Sequence, residues 1–126
     1  MKIVIARELL TAGLEELDRT HTVLSNGLDC GREQLLESVA GADAIVADPT
    51  VSVDEELLEA AGAQLKLVAN FAVGHDNVDL HACRARGVVV TNTPDVLTNA
   101  TAELAVGLTL AAARRITGSE RRMRNG

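Results

Sequence analysis

Short apolar runs alternate along this chain with stretches in which apolar residues recur at helical spacing. Compact runs rich in Val and Ile are typical of strands buried in a parallel sheet, and a spacing of three or four residues is typical of helices that pack on it. The runs predicted as strands are 2–6, 21–25, 42–47, 65–69 and 88–91. Strands that alternate with helices predict an α/β fold. Right-handed crossovers favour a flavodoxin-like open five-stranded parallel sheet with helices on both faces.

Helix starts and ends are marked by local residue types. Side chains that accept hydrogen bonds from free backbone N–H groups favour helix starts. The predicted caps, in chain order, are Thr11, the capping box at 52–55, Asp79, and Thr98 or Asn99. Gly41 and Gly87 are predicted to end the second and fourth helices, because glycine readily adopts the conformation that follows a helix.

The last predicted helix is apolar almost all round from Leu104 to Ala113, and Gly107 permits close approach of another chain. A helix that is apolar on every side is usually buried on every side. One five-stranded sheet covers only one of its faces, so we expect a second subunit or a further domain to cover the other. The sequence therefore predicts a homodimer through the helix 101–116, with the helix either docked in place or exchanged between subunits.

Charge and composition exclude several classes of function. A net charge of −6 and a single aromatic residue, Phe71, argue against a nucleic-acid partner. The apolar runs are too short to span a bilayer, and charge at Arg7 and Glu8 interrupts the first of them before it could serve as a signal peptide. Cys30 and Cys83 show no CxxC spacing, which indicates reduced thiols and a cytoplasmic chain. We expect neither nucleic acid nor membrane as a partner.

The turn that follows the fourth strand, residues 70–74, is the first place to look for chemistry. Ligands of open parallel sheets bind at the carboxyl ends of the strands. Small residues there let an anion approach the main chain, whose amides can hold it without a cationic side chain. The simpler alternative is that Gly74 only permits a tight turn, and the residues alone favour that alternative.

Two stretches, VANFAVGHDNVDL and RGVVVTNTPDVLTNATAELAVGLTLAAARR, resemble the amino-terminal part of the D-2-hydroxyacid dehydrogenases. The resemblance is closest to the glyoxylate/hydroxypyruvate reductases, with phosphoglycerate dehydrogenase a near relative, and it spans nearly the whole chain. It implies an oxidoreductase that acts on a small 2-oxo or 2-hydroxy acid. It also implies that residues 1–126 form a truncated substrate-binding domain, with 99–126 leading toward a nucleotide-binding domain.

The resemblance also implies roles for particular residues. In the family the amides of the glycine turn, here Ala72, Val73 and Gly74, hold the substrate carboxylate, which favours this role over a simple turn. Thr50 lies in a loop that resembles the one bordering the substrate on its other side. Thr98 and Thr101 begin the long helix, which in the family faces the nicotinamide end of the cofactor cleft; helix capping alone would also explain Thr98.

Several expected parts of such an enzyme are missing from the sequence. No GxGxxG fingerprint follows any strand, and the family's catalytic arginine, glutamate and histidine lie beyond residue 126. We therefore expect NAD(P)H to be the cofactor of the intact enzyme, with no tight binding and no catalytic residue in this chain. A metal site is not expected, because His75, Asp76, Asp79 and His81 match no ligand spacing and Asp79 is explained as a helix cap. His75 is interpreted as a surface-loop residue.

Two other functions use the same architecture. One is a stand-alone module that self-associates through the long helix without catalysis. The other is a phospho-receiver domain, in which Asp48 would be the phosphoacceptor. A receiver needs paired acids after the first strand and a lysine after the fifth, where this chain has Arg7-Glu8 and Thr91. We reject the receiver, because a shared fold does not confer function.

Overall fold

The computed structural model describes residues 1–6, 15, 17, 22–25 and 31–126, and for 22–25 it describes the backbone alone. The cap predicted at Thr11, the Arg7-Glu8 pair and the thiol of Cys30 lie outside these residues. The chain forms two compact units, Met1–Pro94 and Asp95–Gly126.

The first unit is built on a parallel sheet of five strands. The strands are β1 (Lys2–Ile5), β2 (Thr22–Ser25), β3 (Ala44–Ala47), β4 (Leu67–Asn70) and β5 (Val89–Thr91). Their order across the sheet is β2-β1-β3-β4-β5, which confirms the predicted flavodoxin-like topology. Strand bounds shift by up to two residues from the predicted runs; Leu65, for example, is buried in the turn before β4.

The core lies on both faces of this sheet, because neighbouring residues of a strand point to opposite sides. On the larger face, Val4, Ile45 and Val68 stand side by side on adjacent strands and are fully buried. On the other face, Ile3, Ile5 and Ala44 form a smaller buried cluster. The partly buried side chains of Leu17, Val46 and Leu67 pack against it. This arrangement confirms the prediction of a sheet covered on both faces.

Three helices connect the strands of the described part of the first unit: α1 (Arg32–Val39), α2 (Glu55–Ala61) and α3 (Leu80–Ala85). Gly41 and Gly87 follow α1 and α3 with φ of 75° and 69°, as predicted for residues that end helices. Asp79 is confirmed as the cap of α3, since its carboxylate accepts a hydrogen bond from the Ala82 N–H at 2.8 Å. Cys83 of α3 is buried and free; burial, and then the charge of Asp79, raise the pKa of its thiol.

The capping box predicted at 52–55 is wrong. Helix α2 begins at Glu55, and its cap is Asp54, whose carboxylate accepts the Leu57 N–H at 3.0 Å. Asp54 lies directly before the first helical residue, and its carboxylate accepts the third N–H of the helix. Because Asp54 holds the N-cap position, Ser52 cannot be the cap. The Ser52 carbonyl instead accepts a hydrogen bond from Arg32 at 2.8 Å.

Arg32 joins the starts of α1 and α2. Its guanidinium pairs with the carboxylates of Asp54 and Glu56, the latter at 2.9 Å. Burial alone would raise the pKa of Asp54, but hydrogen bonds from the Leu57 N–H and from Arg32, with the charge of Arg32, hold that pKa below its ordinary value of 3.8. Because the folded pKa is lower than the unfolded one, this carboxylate stabilises the fold above pH 3.8. The contribution is lost as the pH falls through the lowered value.

We expect Asp54→Asn to reduce the acid dependence of stability. Asparagine is also a good helix cap, so the variant removes the charge and keeps the cap acceptor. Below about pH 4 its free energy of unfolding should fall less steeply than that of the parent chain. Denaturant unfolding at a series of pH values measures this. Glu59→Gln is the control, since Glu59 makes no ion pair with any described residue. Equal acid dependence in Asp54→Asn and the parent would contradict the assignment.

The second unit consists of two helices, α4 (Thr98–Ala113) and α5 (Ile116–Asn125). The predicted cap at Thr98 or Asn99 is wrong, because Leu97 holds the N-cap position and provides no side-chain hydrogen bond. The Leu97 carbonyl already accepts the Thr101 N–H at 2.9 Å, which places Thr98 inside the first helical turn.

The single helix predicted over 101–116 is also wrong. Helix α4 ends at Ala113, and Arg115 adopts a left-handed conformation with φ of 51° before α5 begins at Ile116. Along α4 the apolar side chains of Leu104, Val106, Leu108 and Leu110 are 57–62% exposed. No helix in the described part of the chain is both long enough and apolar enough to cross a membrane.

Candidate functional site

The turn after β4 carries the strongest candidate site. Ala72 is buried beneath it, whereas Val73 and Gly74 are exposed, Val73 to 39%. Gly74 does not have a positive φ, because its backbone lies outside the left-handed region. A Cβ built on Gly74 would meet nothing within 4 Å. Neither the backbone conformation nor the packing of the described residues therefore requires glycine at this position. The space beside the Gly74 main chain is open.

Two of the three amides expected to hold an anion are available. The Ala72 N–H donates to the Asn70 carbonyl at 2.8 Å, so it is already engaged within the turn. The N–H groups of Val73 and Gly74 donate to no acceptor among the residues that the structure describes. Adjacent backbone N–H groups without an internal acceptor can donate to an anion.

The carbonyl oxygens of Ala72, Val73 and Gly74 are all engaged. Each of the three, from Ala72 to Gly74, accepts a hydrogen bond from a donor elsewhere in the first unit. The donors are, in order, the Thr93 N–H at 2.8 Å, the Asn92 side-chain amide at 2.8 Å and the Asn70 side-chain amide at 3.0 Å. The acceptors of residues 72–74 are thus engaged within the first unit, whereas the N–H groups of Val73 and Gly74 remain available to an anion.

Asn70 and Asn77 form a reciprocal amide pair behind the turn. Each side chain donates to the other's oxygen at 3.1 Å. Asn77 also donates to the carbonyls of Asp48 and Val51 at 3.0 and 2.9 Å, so that its two N–H bonds serve three acceptors. Asn70 is only 2% exposed and is the one buried polar side chain of the described residues. The pair ties the turn after β4 to the loop after β3.

Sequence reasoning did not assign a role to Asn70, Asn77 or Asn92. One signal was available for Asn70: a polar residue closes the otherwise apolar run of β4, and buried polar groups need hydrogen-bond partners. No comparable local signal exists for Asn77 or Asn92. Apart from the Asn70–Asn77 pair, their partners lie 19 to 29 residues away in sequence.

Thr50 lies on the loop that Asn77 holds. Its N–H and its hydroxyl both donate to the Asp48 carboxylate, at 2.9 and 2.6 Å, and its side chain is exposed. Thr50 also lines a cavity of about 300 Å³. The structure therefore links the predicted Thr50 loop to the predicted glycine turn through the side chains of Asn77 and Asn70.

Three further candidates are exposed residues. Thr98 and Thr101 are exposed residues of the first turn of α4, in the second unit. His75 is exposed, and its carbonyl accepts the Val78 N–H at 2.9 Å. Within the described ranges, no group of three or more His, Cys, Asp or Glu side chains is placed to hold a metal ion.

Known proteins are similar to this chain in sequence and in fold. The family model described as D-isomer specific 2-hydroxyacid dehydrogenase, catalytic domain, matches residues 3–119. A glyoxylate reductase from Thermococcus onnurineus is 43% identical over 128 residues, and the match covers 99% of this chain. This chain spans only 38% of the length of that relative.

Solved structures agree. A crystal structure of a Thermus thermophilus protein is similar with a TM-score of 0.85 and 38% identity, over 100% of this chain and 41% of that one. A 2-hydroxyacid dehydrogenase from Ketogulonicigenium vulgare is similar with a TM-score of 0.77 and 38% identity, over 99% of this chain and 39% of that one.

Proposed function

Because this chain belongs to the D-isomer specific 2-hydroxyacid dehydrogenase family, we propose that it is the substrate-binding part of a glyoxylate reductase-like enzyme. The intact enzyme would transfer a hydride between NAD(P)H and a small 2-oxo acid such as glyoxylate or hydroxypyruvate. Residues 1–126 would form the truncated substrate-binding domain, with 99–126 leading toward the nucleotide-binding domain. The observation that carries the proposal is the pair of unengaged N–H groups at Val73 and Gly74.

The substrate carboxylate would lie against these two amides. A carboxylate oxygen accepts strong hydrogen bonds from backbone N–H groups, so the two donors would fix its position without a cationic side chain. The engaged Ala72 N–H would contribute to the turn and not to the ligand, which leaves it the weakest of the three assigned residues. Thr50 would border the substrate from the loop that Asn77 ties to the turn.

The residues present do not fit the binding of a dinucleotide pyrophosphate. The helix that follows the glycine turn, α3, is capped by the Asp79 carboxylate, which would repel a phosphate, and the chain lacks the GxGxxG fingerprint. We therefore place the pyrophosphate site outside residues 1–126 and assign no catalytic step to them. Thr98 and Thr101 are proposed to approach the nicotinamide end of the cofactor in the intact enzyme.

Ligand-induced stabilisation tests the proposed function. Glycolate is an unreactive 2-hydroxy acid, and ethylene glycol replaces its carboxylate with a second alcohol. We expect glycolate at millimolar concentration to raise the midpoint of thermal unfolding, because it binds the folded state alone. Ethylene glycol at the same concentration should not. Equal responses to the two compounds would contradict a carboxylate site.

A second candidate is a self-associating module, and the exposed apolar side chains of α4 favour it. It is compatible with the first candidate, because a homodimer through residues 101–116 would cover that surface. We also propose a cytoplasmic protein without nucleic-acid or membrane partners, since Cys83 is a free thiol and the net charge is −6.

Leu108→Glu should weaken self-association. Leu108 is 61% exposed on α4, so a second copy that covers it would bury an apolar side chain that the variant replaces with a charge. We expect the dimer dissociation constant to rise at least about 100-fold. Sedimentation velocity measures it, and Ser119→Glu on α5 is the control for added charge. A Leu108→Glu dimer as tight as the parent's would exclude α4 as the interface.

A further inference from the structure

The direction of the Gly74 N–H is set by what binds the carbonyl before it. In a trans peptide the C=O of one residue and the N–H of the next lie in one plane and point in opposite directions. The described residues contain no cis peptide bond. A donor that holds the Val73 carbonyl therefore determines where the Gly74 N–H points. That donor is the side-chain amide of Asn92, at 2.8 Å.

The pairing of two strands places Asn92 beside the Val73 carbonyl. Strands β4 and β5 pair in parallel with Ala69 beside Thr91, so the chain leaves both strands at the same edge. Thr93, two residues after Thr91, donates its N–H to the Ala72 carbonyl at 2.8 Å. By the same geometry this backbone contact sets the direction of the Val73 N–H. The segment 92–93 thus lies behind both free donors.

We propose that Asn92 is a positioning residue, which aims the Gly74 N–H at the substrate carboxylate. The identity of the ligand in this proposal rests on the proposed function, whereas the orientation of the Gly74 N–H is independent of it. A carbonyl that accepts a hydrogen bond also polarises its own peptide group, which makes the attached N–H a better donor. Asn92 does not itself contact the substrate in this assignment.

A purely structural role makes a different prediction. The Asn92 contact is exposed, and an exposed neutral hydrogen bond contributes little to folding. If Asn92 only closed the loop, its loss would slightly lower stability and leave the Gly74 N–H direction unchanged. The decisive readout is therefore the orientation of one bond in the ligand-free chain.

Residual dipolar couplings of backbone amides measure that orientation. In Asn92→Ala we expect the Gly74 N–H coupling to change, while the Val73 coupling, set by the backbone of Thr93, stays the same. Asn92→Asp has the same shape without the N–H donor and should also change the Gly74 coupling. Asn99→Ala, on exposed α4, is the control. An unchanged Gly74 coupling in both Asn92 variants would overturn the proposal.

Titration with glycolate separates this proposal from the proposed function. We expect Asn92→Ala to raise the glycolate dissociation constant about threefold to tenfold, as for the loss of one supporting hydrogen bond. A changed coupling with unaltered affinity would overturn the positioning role. If the parent chain itself did not respond to glycolate, the proposed function and the substrate role of Asn92 would both fall, and the coupling would still decide the orientation assignment.

Discussion

Replacing Gly74 with valine is expected to abolish the binding of 2-oxo and 2-hydroxy acids while the chain remains folded. The space above Gly74 is open, and its backbone lies outside the left-handed region, so the new side chain meets no described atom within 4 Å of its Cβ. That open space is where the carboxylate would lie. Because two hydrogen bonds to a charged group would be lost, we expect the dissociation constant to rise at least about 100-fold.

Calorimetric titration with glycolate measures this affinity, and denaturant unfolding shows whether the variant is folded. Gly118→Val is the matched control, because a Cβ at Gly118 on α5 also meets nothing within 4 Å. Its affinity for glycolate should equal that of the parent. A folded Gly74→Val chain that binds glycolate as tightly as the parent would place the carboxylate elsewhere.

Asn77→Ala is expected to cause the largest loss of stability at the site. The substitution removes donors from the carbonyls of Asp48 and Val51 and leaves the buried Asn70 amide with one of its three side-chain hydrogen bonds. An unpaired buried polar group costs about 1–3 kcal/mol, so we expect the free energy of unfolding to fall by roughly 2–4 kcal/mol. The Gly74 carbonyl, which Asn70 holds, should become less ordered.

Asn99→Ala provides the comparison, because Asn99 is an exposed residue inside α4 and alanine favours helices. Its unfolding free energy should remain within about 0.5 kcal/mol of the parent or rise slightly. If Asn77→Ala were as stable as Asn99→Ala, the amide pair would not be what joins the glycine turn to the loop after β3.

The strands and their order could be predicted because their signals are local and the number of allowed topologies is small. Each strand is a compact apolar run, and right-handed crossovers leave one common order for five of them. The Asp79 cap was equally accessible, since its partner Ala82 is three residues away. The cap of α2 was misplaced by two residues, because Ser52 and Asp54 both have capping side chains and the backbone selects between them.

The break between α4 and α5 could not be predicted from residue type. Arg115 adopts a positive φ although it is not a glycine or asparagine, the residue types that usually mark such a position. The asparagines that hydrogen-bond to the glycine turn and to the loop after β3 could not be predicted for another reason. Asn92 lies 19 residues from Val73, and Asn77 lies 29 residues from Asp48, so only the completed sheet brings these partners together. Local patterns located the turn, and the tertiary structure shows which of its amides are free.

The most direct test of the central claim is a two-dimensional amide NMR titration of this chain with glyoxylate. We expect the largest shifts at Val73 and Gly74, with a smaller response at Ala72, whose N–H is already engaged. NADH added afterwards should cause no comparable change. Shifts that leave Val73 and Gly74 unaffected, or no shifts at all with glyoxylate in large excess, would contradict a preformed carboxylate site on this turn.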